Sequence, residues 1–240
     1  MAEHIYGVIL AGGQGTRMGN IEKPKQFLEI GGRPILVHTV EKFIINPSFR
    51  EILVLAPKQW LAYTKDIIKK YIRQHEKVAV MEGGATRNET IMNAIQYIEE
   101  AGCLTEDTII VTHDSVRPFV TYRMIDENIR YARKYGSCDT VIPASDTIVA
   151  SEDGKFISSI PERKQMYQGQ TPQSFKAERL REVYRSLSQE ERDSLTDACK
   201  IYVLKGEPVY LVEGDVSNIK ITYPHDLRVA EAILGDEGQC

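Results

Sequence analysis

Between Leu10 and Lys25 the sequence reads LAGGQGTRMGNIEKPK, placing glycines at 12, 13 and 15 ahead of the cations Arg17 and Lys25. The apolar run Val8-Ile9-Leu10 leading into it predicts a buried strand that opens into a glycine-rich turn. Glycines let the backbone approach a ligand and aim unpaired N–H groups at it, and anions are the ligands that want this. A small polyanion such as a nucleoside triphosphate is the guest that the pattern predicts. Many α/β domains use such a turn merely to reverse the chain, so by itself it says little. Two sharper motifs are excluded by spacing. The dinucleotide fingerprint would need glycine where Met18 stands, and the strand ending at Leu55-Ala56-Pro57 carries no acid for a ribose hydroxyl. A Walker A loop needs Gly-Lys-Ser/Thr, and no such tripeptide occurs.

Two further turns carry residues of the same kind. Gly83-Gly84-Ala85-Thr86-Arg87-Asn88 combines small residues with a cation, suiting a flat base or sugar packed on backbone. In isolation it reads equally as a capped strand-to-helix turn with a solvated arginine. Thr108 to Thr112 is an apolar strand that delivers His113 and Asp114 to its C-terminal end, ahead of Ser115-Val116-Arg117-Pro118. An aspartate there can cap the next helix; beside a triphosphate it is also the hard carboxylate that Mg²⁺ requires, and the metal role is the expectation. His113 reads as a packed, hydrogen-bonded histidine. The remaining histidines lack metal-ligand spacing, and no Gly-x-Ser-x-Gly elbow or activated cysteine points to acyl transfer.

The elements that must position these turns alternate. Segments starting at Pro34, Gln59 and Arg87 have helical periodicity, and strands are expected at 52–56, 77–81 and 108–112. This predicts a Rossmann-like α/β fold, a mostly parallel sheet with helices on both faces, whose ligands sit at the C-terminal strand ends. Three such ends carry the distinctive residues, and their convergence is more specific than any one loop. Helices are further expected at 176–187, around 196–200 and from Pro224 to about 234, with strands at 209–212 and 218–222. The whole chain, 1–240, reads as a single domain. From about 145 to 168 the rhythm breaks. Thr147-Ile-Val-Ala and Phe156-Ile-Ser-Ser flank Asp153-Gly154, a hairpin signal, and predict an arm whose Ile148, Val149, Phe156 and Ile157 need cover. A two-fold partner offering the same arm would supply it, so a homodimer is expected.

Composition bounds the partners. The 240 residues carry a net charge of −4 with 27% charged and 42% hydrophobic residues, which argues against a general nucleic-acid or anionic-membrane binder and makes any anion site a local gathering of cations. No signal peptide or bilayer-spanning run is visible, and Cys103, Cys138, Cys199 and Cys240 are widely spaced, as expected of free thiols in a reducing cytoplasm.

LAGGQGTRMG, PKQFLEIGGRPIL, GGATRNETI, HDSVRPF, QGQTPQSF, TDACKIY and SNIKIT, in that order, span nearly the whole chain. Together they resemble the cytidylyltransferases that activate small polyol phosphates: the methylerythritol 4-phosphate enzymes and their relatives acting on ribitol 5-phosphate in teichoic-acid synthesis. LAGG in place of Ala-Ala-Gly, and Ser115-Val116 where the methylerythritol enzymes favour Ala-Ala, make the chain more similar to the ribitol enzymes. The resemblance implies that Arg17 and Lys25 stabilise the transition state. It implies that Leu10, Ala11, Gly12, Gly13, the run Gly84, Ala85, Thr86, Arg87, Asn88, Glu89 and Thr90, and Ser115 hold CTP, with Asp114 near Mg²⁺. It further implies that Thr147, Arg163 and Lys220 position the polyol phosphate, Thr147 and Arg163 coming from a neighbouring subunit's arm. Without it, Arg163 would read as a solvated arm residue and Lys220 as a strand-edge charge. A CTP-sensing dimer without turnover and a sugar 1-phosphate nucleotidyltransferase of the same broad fold remain the competing readings.

Overall fold

In a computed structural model that describes residues 4–13, 18 and 23–237, the chain forms one seven-stranded sheet with helices on both faces. The first strand, β1 (Ile5–Leu10), is buried at every position. Its alternation splits the core: Ile5 and Ile9 face one hydrophobic cluster, and Tyr6, Val8 and Leu10 face another. A two-stranded ribbon, β2 (Glu29–Ile30) and β3 (Arg33–Pro34), follows, and then α1 (Ile35–Ile44) starts directly after Pro34. The chain continues with β4 (Glu51–Ala56), α2 (Leu61–Tyr71), β5 (Val78–Glu82), α3 (Arg87–Glu100), β6 (Ile109–Asp114) and α4 (Tyr122–Tyr135). Helices α1, α2 and α4 pack on one face and α3 on the other, so both faces of these strands are apolar.

Local chemistry explains the boundaries. Thr86 and Glu89 make a reciprocal capping box that starts α3, and the Thr121 hydroxyl caps α4. Gly136, at φ +86°, ends α4 in the left-handed region. The chain then runs through β7 (Ser137–Pro143), β8 (Tyr167–Lys176), α5 (Ala177–Arg185), α6 (Gln189–Asp193), α7 (Cys199–Leu204), β9 (Tyr210–Glu213) and α8 (Pro224–Glu237).

The strand order is β5-β4-β1-β6-β8-β7-β9. Parallel pairing sets Leu10 beside both Leu55 and Asp114, and Ala56 beside Glu82. One edge therefore collects the turns after β1, β5 and β6, as the periodicity implies. The antiparallel member is β8, inserted between β6 and β7 so that Gln173 stands opposite both Thr112 and Asp139.

Three expectations about elements change. Residues 218–222 are not a strand. Their carbonyls are claimed by side chains instead of a neighbouring ladder: Arg117 Nη1 donates to Asn218 O at 2.7 Å and Lys25 Nζ to Ile221 O at 3.0 Å. The single turn expected at 196–200 lies later, at Cys199–Leu204, because the Asp197 carboxylate accepts the Cys199 N–H at 2.8 Å and fixes the entry there. QGQTPQSF, spanning the tail of the expected arm and the residues beyond it, belongs to a ten-residue strand, β8. The rest of that segment, 145–166, contains one isolated antiparallel bridge, Ala150 with Ser159, around Asp153 and Gly154 at φ +71°. Its Phe156, Ile157 and Ile160 are exposed.

Candidate active site

A cavity of about 490 Å³ opens where the three turns meet. Of the residues singled out in the sequence, it is lined by Leu10, Gly12, Gly13, Lys25, Gly84, Ala85, Thr86, Arg87, Thr90, Asp114, Ser115 and Lys220. Gln26, Val116 and Thr222 complete the wall. A cavity of about 570 Å³ lies elsewhere, off the strand ends between α1, α2 and α8, and its Arg33–Glu41 pair satisfies itself.

Asp114 is the centre of the charge arrangement. Arg87 Nη1 binds its Oδ1, Lys220 Nζ lies 2.9 Å from Oδ2, and Arg117 Nε lies 3.5 Å from the same oxygen. Burial alone would push this carboxyl up, but Arg87, Lys220 and Arg117 together overcome it and hold the group well below the usual carboxylate range. Three cations around one anion leave two positive charges over, inside a chain that is acidic as a whole. Removing one partner from such a buried cluster costs about 3–5 kcal/mol, since the other charges lose their compensation. Lys25 adds another cation, nearly buried and held by the Ile221 carbonyl.

Neutral groups fix this cluster from behind. The Asp114 N–H donates to Thr171 Oγ1 at 3.2 Å, and Thr171 Oγ1 lies 2.9 Å from His113 Nδ1. His113 Nε2 lies 3.0 Å from the Arg117 carbonyl, which can only accept, so Nε2 carries the proton and Nδ1 accepts from the Thr171 hydroxyl. Burial pushes the His113 pKa down to about 4, keeping the ring neutral near pH 7. His113 is thus a packed, hydrogen-bonded residue, as expected. Gln26 Nε2 donates to Ala11 O at 2.6 Å and ties the short turn bearing Lys25 to the end of β1.

Other expected residues are placed differently. Ala11 is buried beneath the pocket and contributes its carbonyl to Gln26. Asn88 is buried within α3, and the Glu89 carboxylate is consumed by the Ala85 and Thr86 N–H groups. The Gly84 N–H is likewise spent on Thr90 Oγ1, so this turn offers a ligand a close backbone surface and not a row of free donors. Thr147 and Arg163 are exposed and do not line the cavity; Arg163 Nη1 donates to Ser145 O at 3.2 Å. These arm residues are not brought to the pocket of their own chain. Arg17 lies outside the described residues, as does Cys240, while Cys103, Cys138 and Cys199 are buried free thiols. Arg117, Gln26, Thr171 and Gln173 were assigned no role from sequence. They stand within the motifs HDSVRPF, PKQF and QTPQSF, but polar residues of buried networks carry no periodic signal.

Against protein-family models, residues 5–236 match IspD, 2-C-methyl-D-erythritol 4-phosphate cytidylyltransferase. The chain belongs to this family. It is a cytidylyltransferase, hence a nucleotidyltransferase. Among solved structures, 4-diphosphocytidyl-2C-methyl-D-erythritol synthase from Anaerococcus prevotii is 28% identical, with a TM-score of 0.79 over 98% of this chain and 97% of that one. The 2-C-methyl-D-erythritol 4-phosphate cytidylyltransferase from Thermus thermophilus is 28% identical, with a TM-score of 0.71 over 97% and 98%. The Francisella tularensis enzyme of that name is 26% identical, with a TM-score of 0.78 over 95% and 99%. The α/β architecture with its mostly parallel sheet is thus that of the IspD cytidylyltransferases. No helix among the described residues is long and apolar enough to cross a membrane.

Proposed function

We propose that this cytidylyltransferase joins CTP to the phosphate of a small polyol phosphate, giving a CDP-polyol and pyrophosphate. The observation that carries this reading is the surplus of positive charge around Asp114, at the meeting point of the three strand-end turns. An oxygen of the acceptor phosphate attacks the α-phosphorus in line; the new P–O bond forms as the α–β bridge breaks, and its electron pair leaves with pyrophosphate. The second pKa of a phosphate monoester is about 6, so the attacking oxygen is already ionised and no general base is needed. This agrees with a pocket whose nearest histidine, His113, is neutral and fully engaged. What the reaction requires is the approach of two polyanions and stabilisation of charge on the transferring group. Lys25 and Arg17 serve that centre, and Lys220 holds the acceptor.

Mg²⁺ is the further counter-charge in this proposal, and the donor set suits it. A cation shared with a triphosphate needs one or two protein carboxylates, and Asp114 is the carboxylate among the described lining residues. Arg87 holds Oδ1, and Lys220 and Arg117 both face Oδ2, at 2.9 and 3.5 Å; the Lys220 side chain, 40% exposed, is the most accessible of the three and the one able to leave for an acceptor phosphate. When bound, the metal would neutralise charge on the triphosphate.

The comparisons favour 2-C-methyl-D-erythritol 4-phosphate as acceptor, since the matching family and the neighbours named above carry that name. Ribitol 5-phosphate, for teichoic-acid synthesis, is the second reading and has one specific observation behind it. Ser115-Val116 stands where the methylerythritol enzymes favour Ala-Ala, and Val116 lines the cavity beside Lys220 and Thr222. Its extra methyl groups narrow the wall against a branched acceptor. For the arm we adopt a two-fold homodimer in which each 145–166 segment brings Arg163 and Thr147 to the other chain's pocket, in a cytoplasmic enzyme. The test measures pyrophosphate release with ribitol 5-phosphate, methylerythritol 4-phosphate and glucose 1-phosphate, each with CTP, UTP and ATP. CTP with one of the two polyol phosphates should be preferred, and Val116→Ala should shift the preference toward methylerythritol 4-phosphate if ribitol 5-phosphate is the better acceptor. Turnover with glucose 1-phosphate alone, or with none of them, defeats the proposal.

A further inference from the structure

Behind the pocket, away from any predicted ligand contact, two carboxylates converge on one amide. Gln173 Nε2 donates to Asp139 Oδ1 at 3.0 Å and to Asp197 Oδ1 and Oδ2 at 2.9 and 2.8 Å. The ionised Asp197 carboxylate only accepts, and both of its oxygens lie on Nε2, so the NH₂ end of Gln173 must face the pair and Oε1 is forced to the opposite side. There it accepts from Arg87 Nη2 at 3.3 Å, while Nη1 of the same guanidinium holds Asp114. Arg87 Nε is buried and finds no hydrogen-bond partner among the described residues, so the two terminal nitrogens alone set the plane of the group.

We propose that Asp139 and Asp197 are positioning residues for nucleotide binding: by fixing which way the Gln173 amide points, they orient Arg87 in the pocket. Each is anchored by a regular element. Asp139 lies on β7 opposite Gln173 on β8, and Asp197 accepts the Cys199 N–H at the start of α7. Gln173 itself is almost wholly buried. Placing two carboxylates side by side under cover is unfavourable in itself. Burial, with the Asp197 charge adding to it, pushes the Asp139 carboxyl up to about 7. Burial also raises the Cys199 thiol well above its ordinary value, so the neighbouring sulfur is neutral and not a third anion. The arrangement makes sense as a device that gives the amide only one acceptable orientation. Asparagine at 197 removes this constraint, because its own amide can offer either end.

The inference rests on CTP occupying this pocket, and a double-mutant cycle on the full-length protein separates the two claims. CTP dissociation constants are measured calorimetrically with Mg²⁺ for the parent, Asp197→Asn, Arg87→Met and the double variant, together with thermal melting. Asp197→Asn should weaken CTP about tenfold in the parent, the scale of one hydrogen bond to a charged group, and by less than about twofold once Arg87 is gone. The KM for the polyol phosphate should stay within about twofold, which a general loss of structure would not allow. Equal losses in both backgrounds, or no loss in the parent, overturn the inference while leaving the pocket assignment intact. Absence of CTP binding by the parent overturns both. Should Asp197→Asn fail to fold, Asp139→Asn is read by the same criteria at a pH above about 8, where the Asp139 carboxyl is ionised.

Discussion

Around Asp114, residues drawn from positions as distant as 25, 87 and 220 are nearly all engaged by partners within the chain; between 145 and 166, the same chain makes one isolated bridge and leaves Phe156 77% exposed. The described side chains of the first region find their partners within a single protomer, because those partners are backbone carbonyls and buried charges that the fold sets in place. The second leaves Val149, Phe156, Ile157 and Ile160 uncovered among the described residues, and it carries the predicted acceptor residues Thr147 and Arg163. On the proposed reading, the contrast marks a boundary between protomer and assembly: Asp114, Lys25, Arg87 and Lys220 are set in place by one chain, and Thr147 and Arg163 would come from a neighbour.

The hardest way to break that comparison is to remove a preformed cation. Lys25→Ala should lower kcat by a hundredfold or more, roughly 3 to 4 kcal/mol, in steady-state pyrophosphate release. Near-normal turnover would take the preformed half out of catalysis. The next test sharpens the boundary itself. Arg163→Ala and Lys25→Ala chains, each inactive as homodimers, are unfolded together and refolded as a mixture. If the arm crosses to its neighbour, half the sites in the mixed dimers regain both residues, and activity should return to about a quarter of the parent's. If each arm serves its own chain, the mixture stays inactive.

A smaller effect should appear in stability. Asp139 keeps its proton in the fold up to about 7, against an ordinary value of 3.8 in the unfolded chain. Its contribution is therefore full below the unfolded value and is lost as pH rises toward neutrality. Asp139→Asn remains neutral throughout, so its melting temperature relative to the parent should rise between about pH 4 and pH 7 and level off above. Asp114 has the opposite sign: its depressed pKa stabilises the fold above the unfolded carboxylate value and is lost only in acid. A flat difference curve for Asp139→Asn would mean that its burial has no energetic consequence.

The strands β1, β4 and β6 were legible because strands buried on both faces read as apolar runs, and the half-buried edge strand β5 because Val78-Ala79-Val80-Met81 is apolar throughout; their parallel register then made the turn residues meet. The antiparallel β8 was not. QGQTPQSF alternates polar residues that look like loop chemistry, yet Gln170, Thr171, Gln173 and Ser174 are buried because partners from other segments of the chain satisfy them. Segment 218–222 failed in the reverse sense: Ile219 and Ile221 give a strand's alternation, but the carbonyls of Asn218 and Ile221 answer to Arg117 and Lys25. In both cases the deciding partners lie far away in sequence, where no local pattern reports them.

Gly84 carries one last implication. A single methyl group there would collide with Glu89 and crowd the Thr90 N–H, the very atoms that start α3. The wall it forms is thus bare main chain that no viable substitution can reshape. If CTP lies against this wall as proposed, engineering a different nucleobase preference would have to work through replaceable neighbours such as Ala85 and Ser115.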